Sequence, residues 1–250
     1  MPLHSRWLAV LLLSSALFGA DKKGEEHANI LFQVSTLDAL AQGIYQGALS
    51  FRELKQHGNF GVGTFASLDG EMIALDGKFF QVRSDGTVGK VEGDDATPFA
   101  AVTAFEANLR LRLSHPASLA ELTALIDQLL PSKNLFYAVK VRGRFSDITT
   151  RSVPKQYPPF PPLADAIAQQ TLFPLSNVSG TLVGFRSPAF IKGINQVGYH
   201  FHFITDDEHA GGHALSFQIA EGTVEIGILR QHSTFLPGNQ PFQNATLPLP

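Results

Sequence analysis

Between Gly198 and Ile219 the chain alternates twice between apolar and polar positions. In "GYHFHFIT" the rings of Tyr199, Phe201 and Phe203 recur at every second position, with His200 and His202 between them. Period two predicts a β-strand with aromatic rings on one face and two imidazoles on the other. "TDDEHAGG" is dense in turn formers, and "HALSFQI" then resumes the alternation, predicting His213, Leu215, Phe217 and Ile219 on a shared face. The two segments read as a hairpin that brings His213 opposite His200 and His202.

The rest of the chain follows the same two periods. "STLDALAQGIYQG" and "SFRELKQHG" predict short helices, with Ser35 and Ser50 as caps and Asp38 and Glu53 three residues on. "GVGTFASL", "EMIAL" and "KFFQV" predict strands, the last two joined by an Asp-Gly turn typical of a tight hairpin. "ATPFAAVTAFE" and "NLRLRL" predict further strands. "SLAELTALIDQLL" combines a Ser118/Glu121 capping box with a Leu119–Leu122–Ile126–Leu129 stripe and halts at Pro131, which predicts a helix. "NLFYAVKVRGRFSDITTRSV" predicts a long strand or bent pair, "LADAIAQQ" a short helix, and "GTLVGFRSP" and "GTVEIGILR" more strands. The tail "LPGNQPFQNATLPLP" predicts irregular chain.

The sum is an α+β protein: two mixed or mostly antiparallel sheet halves with a few covering helices. The prolines of "QYPPFPP" mark the expected division, giving an N-terminal α/β half over 29–157 and a β-rich half over 158–250 that carries the histidines. Any bound metal is expected between the halves.

Composition narrows the partners. Nineteen basic residues against 22 acidic ones, with no long basic run, exclude an electrostatic footprint for nucleic acid and favour a small molecule. Residues 1–20, with the apolar run in "HSRWLAVLLLSSALFGA", predict a secretory signal peptide and an exported protein, the competing reading being an uncleaved anchor. No other segment predicts a membrane span. The chain has no cysteine, so its stability outside the cytoplasm rests on packing rather than disulfides.

Chemistry concentrates in the histidine hairpin. A lone His-x-His pair is ordinarily solvated or hydrogen-bonded, but a third histidine brought across by the turn completes three nitrogen ligands with room for substrate on a zinc ion. The residues alone leave both readings open. His209, in the acidic turn, is expected to face solvent, and His4, His27, His57, His115 and His232 stand isolated.

The blocks "LFQVSTLDAL", "GTFASLDGEM", "TPFAAVTAFE", "NLFYAVKVRGRF", "RSVPKQ", "GTLVGF" and "GYHFHFITDDEHAGGHAL" occur in this order from about Asn29 to Leu229. Across them the chain resembles the α-acetolactate decarboxylase family. That resemblance implies a zinc enzyme converting 2-acetolactate to acetoin and CO2, on a two-part fold that usually pairs as a homodimer. It implies His200, His202 and His213 as metal ligands, Glu71 as the acidic catalytic residue, Arg151 as a substrate contact and Thr64 as a nearby hydroxyl contact. Loss of CO2 leaves an electron pair that must be drawn into the neighbouring ketone, a task suited to a Lewis-acidic zinc ion, after which a carbon takes up a proton. One departure stands out: the family commonly carries an acidic residue on its tail, and none follows Glu225 here. That absence leaves open a simpler proton relay, looser stereochemical control or reduced activity, and as rival readings a non-catalytic metal or ligand binder or a decarboxylase for a related β-keto acid.

Overall fold

In the computed structural model, residues 29–91 and 93–247 are described. The expected signal peptide at 1–20, with His4 and His27, lies outside them. The first part of the chain runs through β1 (Ile30–Val34), α1 (Leu37–Ala41), β2 (Leu49–Ser50), α2 (Phe51–Leu54), β3 (Phe60–Thr64), β4 (Glu71–Leu75), β5 (Lys78–Val82), β6 (Val88–Lys90), β7 (Ala96–Thr97) and β8 (Ala100–Thr103). There follow β9 (Leu109–Leu113), β10 (Ala117–Ser118), α3 (Leu119–Leu129), β11 (Phe136–Ser152), α4 (Leu163–Ile167), β12 (Thr171–Ser187), β13 (Gly198–Thr205) and β14 (Gly211–Leu229). The chain closes with β15 (Gln231–Phe235) and α5 (Gln240–Gln243).

Local signals account for most of these elements. Asp76 and Gly77 take φ of 50° and 80°, the positive values that a two-residue hairpin turn demands. At α3, Ser118 Oγ accepts from Glu121 N and Glu121 Oε2 accepts from Ser118 N, closing the predicted capping box. Ser50 and Glu53 do the same at α2. The cap of α1 is a correction: Thr36, not Ser35, accepts from Ala39 N, because Ser35 sits at φ 62° and cannot present its hydroxyl to the first turn.

Two sheets pack face to face, with strand orders β15-β1-β8-β3-β4-β5-β6 and β10-β14-β11-β12-β13, β9 adding to β14. β2 and β7 form a separate pair. The mixed, mainly antiparallel α+β architecture is as predicted. The chain changes sheets between Thr103 and Leu109 rather than at residues 156–162, and β15 returns to the first sheet beside β1 in parallel. The proline-rich stretch thus lies within the span that serves the second sheet. β14 is a correction too: "HALSFQI" and "GTVEIGILR" form one continuous 19-residue strand. Just before the tail, "QHSTF" forms the unanticipated strand β15, and within the tail, predicted irregular, Gln240–Gln243 form the short helix α5, capped by Asn239.

Val62, Ile73 and Phe80 of the first sheet meet Ala138, Val183, Phe185 and Ile204 of the second in a shared core. Each of these valine, isoleucine and phenylalanine side chains contributes roughly 1.5–3 kcal/mol when fully buried. The opposite face of the second sheet, including Val139, Leu182, Phe203 and Ile226, packs on Leu122 and Ile126 of α3. A histidine or carboxylate directed between the sheets therefore leaves water unless polar partners meet it there.

Candidate metal centre

β13 delivers its alternation as the sequence predicts. Phe201 and Phe203 join the core under α3, while His200 and His202 pair in register with Phe185 and Val183 of β12 and face the first sheet. β14 departs from the simple pattern. Strict alternation predicts His213 on a face with Leu215, Phe217 and Ile219, but Thr149 pairs with Ser216 and Thr150 with Ala214, leaving Leu215 as an extra residue. This bulge reverses the alternation, so Phe217 and Ile219 enter the core with Ala214, and Leu215 stays exposed. His213 is thereby released to the face of His200 and His202.

Register then assembles the site. His202 lies directly opposite His213, and His213 lies directly opposite Arg151 on β11. Directly paired residues project to one side, so three neighbouring strands present His202, His213 and Arg151 as a row. From the facing sheet, Thr64 on β3 pairs with Glu71 on β4 and projects with it. The Thr64 hydroxyl donates to Gly70 O at 2.7 Å, which leaves its oxygen as an acceptor.

The imidazoles converge closely. His200 Nε2 lies 3.2 Å from His202 Nε2 and 3.2 Å from His213 Nδ1. His202 Nδ1 lies 2.8 Å from Met72 O, and an N–H donated there leaves Nε2 as a bare lone pair. One hydrogen on His200 Nε2 can serve only one of its two neighbours, so without a cation one of the two 3.2 Å contacts has no hydrogen bond. Nitrogens bound at about 2.0–2.1 Å to one ion stand roughly 2.9–3.4 Å apart, which accommodates the observed spacing. These residues therefore fit a metal ion, and the three histidines form the cluster able to hold one among the described residues.

Electrostatics favour the same use. Burial, reinforced by Arg151, lowers the His200 pKa to about 4. Burial first, and then the neighbouring charges, hold His202 and His213 well below the ordinary histidine range. All three are neutral near pH 7, with lone pairs available without displacing protons. Glu71, only 7% exposed, is pushed up to about 7 because burial outweighs the opposing pull of Arg151. Its Oε1 accepts from Arg151 Nη1 at 3.3 Å, and its Oε2 lies 3.5 Å from His202 Nε2.

These groups line a cavity of about 150 Å³ between the sheets. Its apolar wall includes Leu40 of α1, Phe99, Val153, and Leu163 and Ile167 of α4. The six site residues singled out from the sequence all meet in this cavity. Glu71 and Arg151, which spacing alone would leave at the surface, meet across the sheet interface, Glu71 buried and Arg151 partly so. The sequence reading missed the apolar wall from the proline-rich segment, where the four-residue spacing of Leu163 and Ile167 on a short helix was the available signal. It also missed Gln196, a polar liner on the loop before β13 that no pattern announced. His209 is exposed, as expected.

Comparison with known proteins supplies independent grounds. Residues 31–249 match the family model of alpha-acetolactate decarboxylase. The alpha-acetolactate decarboxylase of Methanosarcina mazei is 50% identical over 220 residues, covering 88% of this chain and 76% of the relative. That of Methylococcus capsulatus is 43% identical over 223 residues, covering 89% and 85%. The crystal structure of alpha-acetolactate decarboxylase from Bacillus subtilis superposes with a TM-score of 0.87 at 38% identity, covering 88% of this chain and 94% of that one.

Proposed function

The chain belongs to the alpha-acetolactate decarboxylase family, and from that premise we propose that it converts 2-acetolactate to acetoin and CO2 with zinc held by His200, His202 and His213. The decarboxylase assignment follows from the family. Zinc and the acetoin product are our reading. The observation that carries it is the meeting, in one small cavity, of three neutral imidazoles with the Glu71–Arg151 pair.

A zinc ion bound there supplies a Lewis acid that polarises the substrate ketone. The protein's own groups account for the remaining steps. Arg151 spends Nη1 on Glu71 and keeps other guanidinium N–H groups for a substrate oxygen, in a fixed planar fork. As the bond to the carboxylate breaks, its electron pair moves into the adjacent ketone to give an enediolate, and CO2 departs. Glu71, whose carboxyl titrates near 7, can hold a proton at Oε1 or Oε2 and deliver it to the carbon that CO2 left. Thr64 Oγ1 offers an acceptor beside Glu71 for a substrate hydroxyl. The apolar wall excludes water and receives the substrate's methyl groups.

The test is removal and return of the metal. Chelated protein is expected to lose acetoin formation and to regain it on addition of zinc; no acetoin from the reloaded enzyme would refute the reading. We further propose export directed by the N-terminal apolar run, to be checked by locating the mature protein after cell fractionation. Retention of the full-length chain in the cytoplasm would refute that.

A further inference from the structure

Gln33 is a fully buried amide between Phe32 and Val34, near the end of β1. Its hydrogen-bonding capacity is used in full. Nε2 donates to Ser35 O at 2.8 Å and to Ile194 O at 2.6 Å, while Oε1 accepts from Asn195 Nδ2 at 2.8 Å and pairs with His232 Nε2 at 3.2 Å. Asn195, itself 4% exposed, accepts from the backbone N–H of Gln196 at 2.6 Å. The same loop receives the free N–H groups at the start of α1: Asp38 N donates to Gly193 O and Leu37 N to Ile194 O, both at 2.9 Å. An amide this buried gains little net stability over an apolar side chain of similar size, since its hydrogen bonds mainly repay lost hydration. What it fixes is the path of residues 193–197.

That path ends in the cavity. Gln196, itself exposed, lines the pocket along with the histidines, Glu71, Arg151 and Thr64 and brings a carboxamide to its rim. One Nε2 hydrogen reaches Val197 O at 3.2 Å, which turns the amide along the loop and leaves its other hydrogen for a ligand. Leu37, tied to the same loop, belongs to the pocket lining as well.

We infer that Gln196 is a substrate-recognition residue for an oxygen of the bound keto acid, and that Gln33 and Asn195 are positioning residues that hold it at the pocket. The inference rests on the decarboxylase reading above for the identity of the ligand. It separates recognition, through the 193–197 loop, from the metal row, which β13 and β14 set by register.

The experiment is a double-mutant cycle on the metal-loaded enzyme with 2-acetolactate. Gln196→Ala, Gln33→Met and Asn195→Ala are each expected to raise KM about tenfold, the loss of roughly one hydrogen bond to substrate, with kcat within about twofold of wild type. Bound metal per chain should stay at the wild-type level. In the Gln196→Ala background, Gln33→Met and Asn195→Ala should add nothing further to KM. Asn195→Ala, which leaves β1 unaltered, carries the test if Gln33→Met does not fold. Loss of metal or of kcat in these variants, a lowered Tm with unchanged KM, or multiplying effects in the double variants would each overturn the inference. Wild-type turnover, measured alongside, scores the substrate assignment separately.

Discussion

Gly212→Ala probes the three-strand row that positions His213. Gly212 has φ of +129°, and a methyl group on it would lie 2.5 Å from the carbonyl oxygen of Arg151. That oxygen belongs to the backbone and cannot rotate away. Strain at such a φ costs about 1–3 kcal/mol, and forcing β14 off β11 costs about as much again, for a sum of roughly 2–6 kcal/mol. Against a total of about 5–15 kcal/mol the variant should fold, with its urea midpoint lowered by roughly 1–3 M. The displacement falls on the residue before His213 and on its partner Arg151, so zinc affinity should drop about 10- to 100-fold, as for loss of a group that orients a ligand. Gly77→Ala is the control, since Gly77 has φ of +80° with nothing within 4 Å of an added methyl and lies in a remote turn. It should lose about 1 kcal/mol and no zinc affinity. Urea unfolding of the metal-free proteins followed by circular dichroism, and calorimetric titration with zinc, measure both quantities. If Gly212→Ala binds zinc as tightly as wild type, the register argument for the site fails.

Three further outcomes follow from the same geometry. His202→Ala should lower bound metal and activity together, because its Nε2 is the nitrogen freed by the bond to Met72 O; full metal occupancy by elemental analysis would exclude it as a ligand. Glu71→Gln should abolish most turnover while leaving the metal bound, and a variant with wild-type kcat would remove Glu71 from the proton transfer. In metal-free protein Glu71 binds its proton up to about pH 7 when folded but releases it near the ordinary carboxylate value of about 4.5 when unfolded, so its contribution to stability is lost as pH rises through that window. Glu71→Gln should therefore gain on wild type by up to about 3 kcal/mol between pH 5 and pH 8 in denaturant titrations, whereas a constant difference would contradict the buried, protonated state. The histidines act oppositely, stabilising as pH rises from about 4 towards 6.5, and cancel in that comparison because both proteins carry them.

Local physics made several parts of this protein legible before any fold was known. The Asp76-Gly77 turn, the Ser118/Glu121 box and the alternation of Tyr199 to Phe203 are written in adjacent residues, because turn dihedrals, helix caps and strand faces are set by neighbours in the chain. The quoted sequence blocks carried the family likewise, and with it the six site residues. Pairing between distant strands was not legible. The bulge at Leu215, which sends His213 to the metal face, exists only because β14 is in register with β11, whose residues lie more than sixty positions earlier. The burial of Glu71 against Arg151 exists only because two sheets close face to face, and that closure alone excludes the water that would hold Glu71 at an ordinary carboxylate pKa. Sequence determined which side chains were available; packing decided which of them share one dry cavity.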